Sequence, residues 1–132
     1  MILPSGAEFC AVSYDAGDPY SRDRAPDFGL YLDDKWSPPW EHARVSWSDF
    51  GVPSDLVVLR DQLSAALERA TAGERVEIGC LGAHGRTGTA LACLAIIDGH
   101  APESAVAWVR ANYCDHAIET PEQEAFVRAF RA

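Results

Sequence analysis

The sequence predicts an α/β domain with a short, mostly parallel central sheet flanked by helices. Three observations lead there. Short strand-like runs fill the first third of the chain, segments of helical periodicity fill the rest, and one further strand-like run, residues 75–80, separates two of those helices. The 132 residues suit one domain, 1–132, with no repeat, linker or low-complexity stretch to divide it.

Each element has a local reason. Phe9-Cys10-Ala11-Val12-Ser13 and Gly29-Leu30-Tyr31-Leu32 read as strands, and residues 43–47 alternate as a third. The polar stretch from Asp15 to Asp27 reads as a loop, and Trp36-Ser37-Pro38-Pro39-Trp40 cannot be helix interior. After Pro53, Leu56, Leu59, Leu63, Ala66, Leu67 and Ala70 recur at three- and four-residue steps. That is an amphipathic helix capped by Ser54 or Asp55 and stopped by Gly73. Residues 75–80 form a short strand and 81–85 a glycine-rich loop. Residues 86–98, small and apolar, make a buried helix that ends at Gly99. Pro102 opens a helix through Val106, Val109 and Tyr113. Thr120-Pro121-Glu122-Gln123 is a cap-and-proline start for a last helix carrying Phe126, Val127 and Phe130.

Composition narrows the function. About half the chain is apolar (48%), enough for a core without staples. A net charge of −9 argues against a groove-filling nucleic-acid binder, so nucleic acid is not an expected partner. Any phosphate site must then be a small local patch of positive potential. Cys10, Cys80, Cys93 and Cys114 show no Cys-x-x-Cys spacing, which disfavours a zinc knuckle or thioredoxin-type site. No leader-like segment and no apolar run of membrane-spanning length is present, so a reducing cytoplasm is the expected compartment.

The chemistry concentrates at Cys80-Leu81-Gly82-Ala83-His84-Gly85-Arg86-Thr87-Gly88-Thr89. A cysteine ends a strand, and five residues after the loop's first glycine-rich turn begins, an arginine opens a helix. Backbone N–H groups from Leu81, Gly82, Ala83, His84 and Gly85 can form an anion nest. The helix adds its free N–H groups and the positive end of its dipole. Arg86 can grip two phosphate oxygens with its planar fork. The same surroundings favour a thiolate, since helix N-termini and cations lower a cysteine pKa from about 8.5 to roughly 3.5–7.5. The Thr87 hydroxyl is placed to donate to the sulfur. A bare Cys-x5-Arg is weak evidence and fits a core cysteine beside a turn; strand, loop, Arg-Thr-Gly and apolar helix together are much stronger.

At this point the sequence resembles the protein tyrosine phosphatase superfamily, whose signature is Cys-x5-Arg followed by Ser or Thr and usually Gly. Trp47-Ser48-Asp49-Phe50-Gly51-Val52-Pro53 resembles its mobile acid loop, with Ser48 where proline is usual. Ile118-Glu119-Thr120-Pro121-Glu122-Gln123 resembles its glutamine loop. The three motifs span residues 47–123 in the family's chain order. The resemblance implies a single phosphatase domain over 1–132 and hydrolysis through a phosphocysteine on Cys80. Asp49 would be general acid and then base, and Gln123 would position the attacking water. Arg86 and the loop N–H groups would hold the transition-state oxygens. No cofactor or metal is required. The implied substrate is a phosphorylated protein or peptide, phosphotyrosine first, with a shallow pocket that also admits phosphoserine and phosphothreonine.

Gly79 stands where the family often has His, and Ala83 where it often has Gly. With Ser48, these differences bear on rate and pH optimum more than on reaction class. Two other functions stay open. One is a catalytically weak module that binds phosphoproteins; the other is a phosphatase for phosphoinositides or other small esters. Glu77 is unusual in a central strand, and a role orienting the loop or Arg86 is one reading of it. Asp115 and His116 read as loop residues rather than a second acid/base pair, and Cys93 reads as packing.

Overall fold

The computed structural model describes residues 1–13, 24–32, 37–47, 52–53, 55–80 and 85–132. In chain order the elements are β1 (Phe9–Ser13), β2 (Phe28–Tyr31), β3 (His42–Arg44), α1 (Leu56–Thr71), β4 (Val76–Cys80), α2 (Gly85–Ile97), α3 (Pro102–Asn112) and α4 (Pro121–Ala129). The strands form one sheet in the order β1-β4-β2-β3, and every strand pairing in it is parallel. The α/β class and the parallel sheet expected from the sequence are what the chain adopts.

β4 is central, and all five of its residues are buried. This explains its near-continuous apolar character, since an interior parallel strand is covered on both faces. Its register pairs Val76 with Phe28 and Ile78 with Leu30 on one side, and Phe9 with Val76 and Ala11 with Ile78 on the other. α1 packs on β2, β4 and α2; α2 packs on β4, and α3 and α4 pack on α2. The Arg69 guanidinium of α1 lies 4.4 Å from the Phe28 ring centre, which places α1 over the Phe28 face of the sheet.

α1 begins at Asp55, whose carboxylate accepts from the N–H groups of Val57 and Val58 at 3.0 and 3.1 Å. Leu59, Leu63, Ala66 and Ala70 are buried as the periodicity requires, but Leu56, at the first helical position, is exposed. α2 is buried along its length from Gly85 to Ile96, in keeping with its small apolar sequence. The third strand is shorter than the alternation at 43–47 implies. It ends at Arg44, because Trp47 leaves the sheet and pairs in an isolated antiparallel bridge with Pro53. Among the described residues, no helix is long and apolar enough to cross a membrane.

Candidate active site

Cys80 is the last residue of β4, and Gly85 is the first of α2. The loop residues Leu81, Gly82, Ala83 and His84 lie outside the described residues, as does Asp49. Cys80 is buried, and the buried Thr87 Oγ1 donates a hydrogen bond to its Sγ at 2.9 Å. The site therefore sits at the carboxyl end of the central parallel strand, facing the N-terminus of a 13-residue helix.

Arg86 is only 5% exposed. Its Nη1 donates to the carbonyl of Leu32, just past β2, and to that of Trp47, both at 3.2 Å. Trp47 and Pro53 bracket the segment that contains Asp49, and their bridge pins its two ends together. One guanidinium thus ties the first turn of α2 to the end of β2 and to the root of the 47–53 segment. Thr89 Oγ1 donates to the Gly85 carbonyl at 2.7 Å, tightening that turn.

The loop between α3 and α4 presses against the same turn. A Cβ on Gly85 would lie 2.5 Å from Oε1 of Glu119 and 3.3 Å from Oε1 of Gln123. A Cβ on Gly88 would lie 2.8 Å from the Ala117 Cβ and 3.1 Å from the Ile118 nitrogen. At Gly88 the neighbours are backbone and a Cβ that cannot swing away, which is why that position is glycine, whereas at Gly85 they are the ends of side chains. Gln123 is fully buried. Its Oε1 accepts from the Glu119 N–H at 2.9 Å, while its own N–H donates to Oγ1 of the N-cap Thr120 at 3.1 Å. Cys80 and Thr87 meet directly, Arg86 stands in the same first turn of α2, and Gln123 lies across Gly85.

Sequence reasoning singled out neither Arg110 nor Glu119 nor the backbone of Ile118. Ile118 is buried with φ 65°, a left-handed conformation that a β-branched residue adopts only under constraint. Arg110 supplies the constraint. Its Nε donates to the Ala117 carbonyl at 2.9 Å, Nη2 to the Ile118 carbonyl at 2.8 Å, and Nη1 to Glu124 Oε1 at 2.8 Å. Nothing local marks an arginine for this task. Glu119 lay within the glutamine-loop motif, and only the packing reveals where its carboxylate goes.

The remaining candidates fall as follows. Glu77 is buried and accepts from the Tyr31 hydroxyl at 3.0 Å; Tyr31 in turn accepts from Trp40 Nε1 at 2.7 Å. Asp115 and His116 are both exposed, 3.6 Å apart. Cys93 is buried in α2, where burial pushes its thiol well above the ordinary cysteine range. Burial also pushes the Tyr113 hydroxyl up to about 12, with the nearby Cys80 and Cys114 adding to the rise.

No protein-family model matches the chain. An uncharacterized protein of Methanocaldococcus jannaschii is 38% identical over 88 residues, covering 65% of this chain and 56% of its own length. A second from the same organism is 37% identical over 85 residues, covering 63% of this chain and 50% of its own. The chain thus spans about half the length of these curated relatives. Among solved structures, Tk-PTP in its active form matches with a TM-score of 0.67 at 26% identity, over 78% of this chain and 76% of that one. Kinase associated phosphatase matches with a TM-score of 0.66 at 18% identity, over 77% and 66%. PTPMT1 in complex with PI(5)P matches with a TM-score of 0.64 at 20% identity, over 78% and 74%. The fold is that of the protein tyrosine phosphatase superfamily, and the resemblance read from the sequence is borne out.

Proposed function

We propose that residues 1–132 form one phosphatase domain that hydrolyses phosphate monoesters through a phosphocysteine on Cys80. Phosphotyrosine in proteins or peptides is the leading substrate. The observation that carries the reading is the Thr87 hydroxyl, 2.9 Å from the Cys80 sulfur, in the first turn of the helix that faces it. A hydroxyl aimed at a sulfur stabilises that sulfur most when it is charged. In a two-step phosphoryl transfer it is charged as nucleophile and again as leaving group.

In the first step the Cys80 thiolate attacks phosphorus. The P–O bond breaks, and Asp49 delivers a proton to the departing oxygen. Arg86 and the N–H groups of residues 81–86 hold the three equatorial oxygens, an electrostatic contribution that a preorganised site supplies without reorganisation. Arg86 is suited to this because the Leu32 and Trp47 carbonyls already fix its Nη1. In the second step a water placed by Gln123 attacks the phosphocysteine, Asp49, now a carboxylate, takes the water's proton, and the S–P electron pair returns to sulfur.

The test is hydrolysis of para-nitrophenyl phosphate from about pH 5 to 8 with chelator present, the range in which a tuned carboxylate acts as acid. Wild type should turn over, Cys80→Ser should not, and Asp49→Ala should lose most activity on an alkyl phosphate, whose leaving group needs a proton. Orthovanadate binding without turnover would replace the enzyme with a phosphate-binding module. A preference for inositol phosphates over phosphotyrosyl peptides would move the substrate to small esters.

A further inference from the structure

The amino end of the sheet carries a separate cleft of about 290 Å³. Ala70 of α1 and Val76, the first residue of β4, line it and are buried. Glu8, Arg24 and Arg75 line it too, each just ahead of a strand: β1, β2 and β4 in turn. Cys80 ends β4 four residues after Val76, about 13 Å along a strand that rises about 3.3 Å per residue. The cleft and the candidate active site therefore lie at opposite ends of the sheet.

Its charges are unusual for this chain. There are 20 acidic residues against 11 basic ones, so partners for a cation are plentiful. Arg60, Arg69, Arg86, Arg110 and Arg131 all donate to protein carbonyls or carboxylates. The guanidiniums of Arg24 and Arg75 have no hydrogen-bond or ion-pair partner among the described residues. Asp27 lies against Arg75 but accepts from its backbone N–H, at 2.7 Å. Glu74 lines the cleft but is paired with Arg69 at 3.0 Å. The Glu8 carboxylate has no partner among the described residues either. Two cations and an anion thus line one cavity without closing on one another.

We propose that this cleft binds a small hydroxylated organic anion. Its phosphate or carboxylate group is held by Arg24 and Arg75, whose planar forks match such groups two oxygens at a time. Its hydroxyl donates to Glu8. The volume limits the ligand to a few carbon atoms, since ligand pockets run from roughly 300 to 1,000 Å³. The site does not depend on the chemistry at Cys80.

Cys10 lines the same cleft and is half-buried, so its thiol reports occupancy. The experiment is iodoacetamide labelling of Cys10, read by peptide mass, with glycerol 3-phosphate, malate or succinate at matched ionic strength. It uses wild type, Glu8→Gln and the double variant Arg24→Gln/Arg75→Gln. Both arginine side chains are exposed, so the fold should tolerate the change. In wild type, glycerol 3-phosphate or malate should slow labelling, by about tenfold at ten times Kd. Protection by only one of them tells phosphate from carboxylate. The double variant should lose the protection. Succinate, which lacks the hydroxyl, should protect less than malate, and Glu8→Gln should narrow that difference. Anion held at the Cys80 loop cannot produce protection at Cys10 that depends on Arg24 and Arg75. No protection by either hydroxylated anion, or equal protection in the double variant, would overturn the proposal; succinate equal to malate in wild type would overturn the Glu8 contact.

Discussion

A hydroxyl 2.9 Å from a sulfur has its largest effect when that sulfur is a leaving group. Replacing Thr87 by Val keeps the volume and removes the donor. A hydrogen bond to a charged group contributes about 1.5–3 kcal/mol, so turnover should fall about 10- to 150-fold. On the proposed mechanism the loss should lie in phosphocysteine breakdown, read as a larger burst before a slower steady state; equal loss in both phases would argue against it. Tyr113 offers a second probe at this scale. Its hydroxyl is pushed up to about 12, by burial first and then by Cys80 and Cys114. A raised phenol pKa means the native state holds its proton longer than the unfolded chain. The contribution to stability is complete below about pH 10, the unfolded value, and is lost as pH rises through 12. Ultraviolet titration should find a late-ionising phase that Tyr113→Phe removes. Of these residues, Cys80, Arg86, Thr87 and Gln123 were already candidates in the sequence, because short motifs fix their spacing. The place of the Glu119 carboxylate was not, since it depends on how the α3–α4 loop lands on α2.

Helices were the most legible elements. Asp55 and Thr120 cap where their residue types suggest, and Pro102 and Pro121 stand in the first turns of α3 and α4. The connection from α3 to α4 was opaque. Its conformation is set by a single arginine reaching back from α3 to two carbonyls, a tertiary contact with no local signature. Two substitutions test whether that loop is positioned by Arg110 and Gly88 together. Arg110→Met keeps the stem and removes three donated bonds. It should lower kcat about tenfold or more while leaving KM near wild type, if loss of the clamp acts through Gln123 in the second step. Hydrogen exchange at residues 117–119 should quicken with it; faster exchange with unchanged kcat would make Arg110 purely structural. Gly88→Ala places a methyl against the Ala117 side chain and the Ile118 backbone, where backbone has to yield. Overpacking of this kind costs about 1–3 kcal/mol, so the urea midpoint should fall, and a variant as stable as wild type would show the loop to be loosely seated.

For the whole molecule, the sequence located the strands but not their order. A parallel sheet leaves no hairpin turn to fix neighbours, so the order β1-β4-β2-β3 emerges only from packing. That order explains Glu77, the one acidic residue in the central strand. Its register partner on β2 is Gly29, and the Tyr31 ring lies over that glycine, so a hydroxyl reaches the carboxylate from the neighbouring strand. Trp40 then donates to the same hydroxyl. A buried carboxylate is tolerable only when hydrogen bonds replace its water. Cys80 faces the same side as Val76 and Ile78, whereas Glu77 and Tyr31 share the other, so one face of β4 serves the site and the other anchors the sheet. Tyr31→Phe separates the two functions: it deletes a donor to Glu77 and an acceptor for Trp40 without altering ring volume. Stability should drop by about 1–3 kcal/mol, the cost of leaving buried polar groups short of a partner, while kcat/KM of the folded enzyme stays within a factor of about two. A large kcat loss at unchanged stability would instead place Glu77 in the catalytic apparatus, acting through the loop that follows its strand.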